Sequence, residues 1–161
     1  MNTITAFLIV CQAATSTNDP FPATLRAILW VESRGDPQAV GDGGRAIGPY
    51  QIHRAYWEDA TRFLGVAWPY EDARDPVKAA RAVRAYTEHY ANAYQRPWTA
   101  ETIARIHNGG PTGWKKAATM GYWGKVRAAM ERQGRPQRTQ RMARMKGSQP
   151  CSVRRWQSKC R

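Results

Sequence analysis

Glycine and proline stops cut this chain into helix-sized pieces, and that punctuation limits the possible folds more than any other feature. Between residues 20 and 134, apolar residues recur at helical spacing, and most runs open at a proline or polar cap or close at a glycine. Pro22 suits a first helical turn. Leu25, Ile28, Leu29 and Glu32 follow at helical spacing, and Gly35 stops the run. Tyr50 to Leu64 reads as a second helix, with Ile52, Tyr56, Ala60 and Phe63 on one side and Gly65 at its end. Asp75-Pro76 is a cap followed by proline at the first helical position. It opens a long helix toward Tyr94 with an apolar stripe of Val83, Tyr86, Tyr90 and Ala93. Thr99 caps a short helix ending at His107, and Asn108-Gly-Gly-Pro forces a turn. A last helix, Thr119 to Gln133, carries Tyr122, Trp123, Val126 and Met130. Only Ala39 to Gly48, with Gly-Asp-Gly-Gly inside it, reads as a hairpin or tight loop. The expected class is therefore α+β, predominantly α, with a small β hairpin.

The 161 residues suit one domain, and no apolar run is long enough to predict a transmembrane span. The net charge of +13 calls for a polyanionic partner, and its distribution is uneven. Residues 1–130 hold 15 Lys and Arg against 11 acids, whereas residues 131–161 hold 10 against Glu131 alone. Three segments follow: 1–19, an apolar stretch read as a signal or an N-terminal core piece; 20–134, the compact domain; and 135–161, a basic, solvated tail. The tail suits anionic wall polymers. It is also open to nucleic acid, a partner the motifs do not favour. Cys11 falls in the first segment, and Cys151 and Cys160 in the tail, where they can pair in an oxidising compartment.

Few residues are candidates for chemistry. His53, His89 and His107 are far apart and show no zinc spacing, so no metal is expected. Neither a nucleophile elbow nor a phosphate loop is present, and no cofactor is expected. What remains is Glu32, at the end of Ala27-Ile-Leu-Trp-Val, where desolvation is expected to raise a carboxyl's pKa and keep it able to donate a proton. Asp42 sits ten residues on in the glycine loop. Each has a plain reading too: Glu32 as a solvated or ion-paired helix end, Asp42 as an Asp-Gly turn residue. A helix-end Glu and a hairpin Asp facing each other across a cleft would suit glycoside hydrolysis.

Longer motifs carry a resemblance. Val31-Glu-Ser-Arg-Gly-Asp, Gly48-Pro-Tyr-Gln-Ile-His-Arg-Ala-Tyr-Trp-Glu-Asp, Ala104-Arg-Ile-His-Asn-Gly-Gly-Pro-Thr-Gly and Thr119-Met-Gly-Tyr-Trp-Gly-Lys-Val resemble the invertebrate-type lysozymes, also called the destabilase family. Tyr86-Thr-Glu-His-Tyr falls at the family's tyrosine spacing. The Glu-Ser and Gly-x-x-Gln-Ile elements bear a weaker likeness to soluble lytic transglycosylases. The family resemblance implies a lysozyme-like fold with a cleft between a helical lobe and the hairpin. It also implies cleavage of the β-1,4 bond between N-acetylmuramic acid and N-acetylglucosamine in bacterial peptidoglycan. Glu32 matches the family's proton donor and Asp42 its second carboxylate, with Asp36 as an alternative. Tyr50, Gln51, Ile52, His53, Tyr86, His107, Asn108 and Gly109 match segments lining the family's sugar site. A secreted or cell-envelope location goes with this reading. The competing readings are a transglycosylase giving 1,6-anhydro products and a non-catalytic cationic protein acting on polyanions or membranes.

The departures from the family pattern are informative. Arg34, Ala46, Ala60 and Trp114 stand where the motifs usually carry cysteine, so this domain is expected to hold itself by packing. Trp57 and Trp123 are read either as core or as platforms for sugar rings.

Overall fold

Asp19 ties the start of the first helix to later parts of the chain. One oxygen of its carboxylate accepts hydrogen bonds from the Phe21 amide and the Trp98 indole, both at 3.0 Å, and the other meets Arg84 at 2.8 Å. The computed structural model describes residues 19–135. The apolar segment at 1–18, with Cys11, and the tail from 136, with Cys151 and Cys160, lie outside the described residues.

Helix α1 (Phe21–Glu32) is followed by strand β1 (Val40–Gly41), a one-turn 3-10 segment (Asp42–Gly44), β2 (Ala46–Ile47) and β3 (Ile52–His53). Then come α2 (Arg54–Leu64), a 3-10 turn (Tyr70–Arg74), α3 (Pro76–Ala93), α4 (Ala100–Gly109), a further 3-10 turn (Gly113–Lys115) and α5 (Thr119–Gly134). The strands form one antiparallel sheet in the order β1-β2-β3, pairing Val40 with Ile47 and Ile47 with Ile52. The predominantly α class with a small β element therefore holds.

The local signals acted as expected where they were chemically explicit. The Asp75 side chain accepts from the amides of Val77 and Lys78, and Thr99 accepts from Thr102. Both cap donors that a helix start leaves without partners.

The second helix needs correction. It starts at Arg54, and Tyr50–His53 forms a turn and the strand β3. Gln51 has φ +48°, which no helix accommodates, and Ile52 pairs with Ile47. The helical spacing misled because Ile52 enters the same core from the sheet that Tyr56 and Ala60 enter from the helix.

The core lies among all five helices. α1 packs on α5 and α2 on α3, while α4 touches α1, α3 and α5. Ile28, Val83, Ile103, Ile106 and Val126 are fully buried. Each removes an aliphatic side chain from water, worth about 1.5–3 kcal/mol. Of the positions where the family motifs usually carry cysteine, Ala60 is packed into this interior and Ala46 is buried beneath the cleft, and no cysteine occurs within residues 19–135. Trp57 is core, its indole donating to the Trp68 carbonyl at 3.1 Å, and Trp123 packs half-buried against the core.

The sheet is fastened to the helices at two places that matter for the site. The Ser33 hydroxyl, just after α1, donates to the Pro49 carbonyl at 2.8 Å. The Tyr70 hydroxyl lies 2.7 Å from the Ile52 carbonyl and 2.9 Å from that of Arg45. Gly48, at φ +78°, lets the turn into β3 pass directly against the Ala73 carbonyl, where a side chain would collide.

Candidate active site

A cleft of about 230 Å³ lies between the sheet and the ends of α1 and α4. It is lined by Glu32, Asp42, Ala46, Gln51, His53, Tyr56, His107 and Asn108. Folding therefore brings together the two candidate carboxylates and four of the expected sugar-site residues: Gln51, His53, His107 and Asn108. Tyr50, Ile52, Tyr86 and Gly109 lie elsewhere. Tyr50 and Ile52 are buried in the core, and Tyr86 is buried behind Tyr56 with ring centroids 3.6 Å apart. Gly109 turns its carbonyl to the Lys116 ammonium at 2.6 Å. Asp36 is exposed outside the lining and accepts from the Gln38 amide at 2.8 Å, an Asx turn.

Glu32 ends α1, and 19% of its side chain is exposed where it lines the cleft. The Tyr122 hydroxyl of α5 donates to its Oε1 at 2.6 Å. His107 Nε2, from the last turn of α4, faces the same oxygen at 3.7 Å. On the far side of the imidazole, Nδ1 lies 3.2 Å from the Tyr56 hydroxyl.

The expected rise of the Glu32 pKa is reversed when these neighbours act together. Burial is the largest single influence and pushes it up, but the neighbouring His107 ring, the Tyr122 hydroxyl and Lys125 together outweigh it. The carboxyl is held below its ordinary value. A helix sequence reveals the desolvation and not the donors that other helices bring to it.

Across the cleft, Asp42 occupies the tip of the β1–β2 hairpin with φ +52°. Its Oδ2 meets His53 Nε2 at 2.9 Å, both side chains about half exposed. Gln51 lies beside them with φ +48°, its side-chain amide donating to the Gly48 carbonyl at 2.9 Å. Among the described residues, two of the four non-glycine residues with positive φ thus line one cleft, backbone strain collected where side chains must be aimed.

Tyr56, Tyr122 and Lys125 were not among the candidates. In sequence the tyrosines read as members of apolar helical stripes, where a tyrosine and a phenylalanine look alike. The usable signal is that a buried hydroxyl requires a hydrogen-bond partner. Among the described residues no group of His, Cys, Asp and Glu is arranged to hold a metal ion. The described helices include none long and apolar enough to cross a membrane.

The same arrangement of helices and small sheet occurs in known proteins. The family model named Destabilase matches residues 23–129. A lysozyme of Magallana gigas is 36% identical over 118 residues, covering 72% of this chain and 81% of that protein. One from Ostrea edulis is 34% identical over 131 residues, covering 79% and 94%. The crystal structure of Tapes japonica lysozyme aligns with a TM-score of 0.57 at 28% identity, over 65% of this chain and 85% of that one. Meretrix lusoria lysozyme, solved in complex with Aeromonas hydrophila PliI, gives the same TM-score and coverage at 34% identity. A family match spanning most of the chain, joined to lysozyme structures with the same fold, means that this chain belongs to the destabilase family of invertebrate-type lysozymes.

Proposed function

We propose that this protein is a muramidase, a glycoside hydrolase that cuts the β-1,4 bond between N-acetylmuramic acid and N-acetylglucosamine in bacterial peptidoglycan. The observation that carries the reading is the placement of Glu32 and Asp42 in one cleft, the first mostly buried among hydrogen-bond donors and the second solvated. Unequal environments of this kind let two carboxyl groups take different roles.

Glu32 is the general acid. It gives its proton to the glycosidic oxygen as the bond to the anomeric carbon breaks. Asp42, held by His53, stabilises or captures the positive anomeric centre. Water then attacks that carbon, losing its proton to Glu32 and restoring the acid. A sugar chain filling the cleft excludes water from Glu32, which strengthens the upward push of burial on its pKa at the moment a proton is needed. Gln51 and Asn108 supply amide donors and acceptors for the sugar's hydroxyl and acetamido groups. The protein acts at the cell envelope or outside the producing cell, where its substrate lies, and lysis of bacteria is the outcome at the level of whole cells.

Digestion of purified peptidoglycan followed by mass spectrometry tests this. Wild type is expected to release reducing muramic acid ends, and Glu32→Gln to lose at least about 10²-fold in rate while keeping its fold. Full activity in Glu32→Gln would end the assignment. Products with 1,6-anhydro ends, formed equally well by Asp42→Asn, would replace hydrolysis with transglycosylation.

A further inference from the structure

Glu32 is held from behind by a chain of side chains from three helices. Tyr56 of α2 reaches His107 of α4, whose ring reaches Oε1 of Glu32 at the end of α1. Tyr56 is only 9% exposed and stacks on Tyr86, ring centroids 3.6 Å apart, so its hydroxyl is fixed in direction. Among the described residues, His107 Nδ1 is the hydrogen-bond partner of that hydroxyl.

One imidazole nitrogen can take only one role at a time. Were Nδ1 protonated, it would have to donate to the Tyr56 oxygen, and the tyrosine's own proton would be left buried without an acceptor. A buried donor left unpaired costs about 1–3 kcal/mol. The arrangement that satisfies both groups has Tyr56 donating, Nδ1 accepting and the ring proton on Nε2, facing Glu32. Burial, with Tyr86 and Glu32 nearby, raises the Tyr56 pKa well above its ordinary value, so the hydroxyl keeps the proton it donates.

We propose that Tyr56 is a positioning residue for the reaction: its hydroxyl, donating to Nδ1, fixes the orientation and tautomer of the His107 ring so that the Nε2–H faces Glu32 Oε1. This rests on Glu32 being the acid. Oε1 accepts from Tyr122 at 2.6 Å with His107 Nε2 facing it at 3.7 Å, and Oε2 is left to carry the proton to the glycosidic oxygen. The groups facing this pair are Tyr122 and Lys125 from α5, Tyr56 from α2 with Tyr86 of α3 behind it, and Asp42 and His53 across the cleft.

Two measurements on the full chain test the idea. Ring ¹⁵N NMR of His107, assigned by the loss of its signals in His107→Gln, reads the tautomer without any need for activity. In the neutral ring, wild type should show a protonated Nε2 and an accepting Nδ1, and Tyr56→Phe should show the proton shared between the two nitrogens. A wild-type ring with its proton on Nδ1, or one unchanged in Tyr56→Phe, would overturn the proposal.

The second measurement is kcat/KM against pH. Glu32 must be protonated to act, so its titration sets the alkaline limb. Tyr56→Phe loosens the His107 ring, so Glu32 loses a facing donor; the limb should move to higher pH and kcat should fall roughly tenfold, part of the 10²–10⁴ that general acid catalysis supplies. Tyr122→Phe removes a donor to the carboxylate and should move the limb the same way, without changing the His107 ring signals. Equal losses at every pH in both variants would make Tyr56 merely structural. Should wild type fail to cut peptidoglycan, the functional assignment falls, while the NMR result still decides the tautomer.

Discussion

Substituting alanine for Gly48 separates two ways in which the turn into β3 depends on glycine. The first is conformational: at φ +78° an alanine Cβ crowds the carbonyl, a strain of about 1–2 kcal/mol. The second is spatial, because that Cβ would strike the backbone carbonyl of Ala73, which belongs to the 3-10 turn and cannot swing away as a side chain can. Overpacking of this kind adds about 1–3 kcal/mol, for a total of about 2–5 kcal/mol. That is a large part of the 5–15 kcal/mol by which a typical domain is stable. Gly65, the C-terminal stop of α2, is the internal control: its φ is +67°, but nothing lies within 4 Å of a built Cβ. Gly65→Ala should therefore show the strain alone. Urea unfolding followed by tryptophan fluorescence gives both free energies, and calorimetry should show Tm falling by roughly 5 °C for Gly65→Ala and at least roughly 10 °C for Gly48→Ala. The Gly48 carbonyl also accepts from the Gln51 amide at 3.1 Å and from its side chain at 2.9 Å, so activity should fall in Gly48→Ala beyond what the loss of folded protein explains. If Gly48→Ala were no less stable than Gly65→Ala, the contact with Ala73 would not be what restricts this turn.

Other expectations concern charge. Asp19 has its pKa lowered by the Phe21 amide first and then by Arg84 and Trp98, so its stabilisation is present above the ordinary carboxylate range and is lost as pH falls through the depressed value. The Tm gap between wild type and Asp19→Asn should thus be widest near neutrality and narrow below about pH 4; a gap constant with pH would show that the charge is irrelevant. Removing residues 135–161 should weaken binding to bacterial walls at low salt and matter little at high salt, while cleavage of soluble peptidoglycan fragments persists. Wall binding that is unchanged by this deletion at low salt would refute recruitment by the tail.

The sequence by itself determined the helices whose ends are chemically marked. Asp75 and Thr99 cap by bonding amides two or three residues ahead, and the left-handed Gly65 ends α2 within its own turn, so no distant contact was needed to read them. The helix reading failed at Tyr50–His53, where a long-range partner, the strand β2, overrode a helical spacing of apolar residues. The candidate site divides in the same way. Glu32, Asp42, Gln51, His53, His107 and Asn108 were legible through motifs, and folding gathers them around one cleft. Tyr122, 90 positions from the glutamate it bonds, and Tyr56, 51 from His107, were not. A single chain shows which residues are present and what their neighbours in sequence do to them. The proton affinity of Glu32 depends instead on hydroxyls, an imidazole and an ammonium carried in by other helices. Electrostatics acts through distance in space, and only the packing of α1 with α4 and α5 decides those distances.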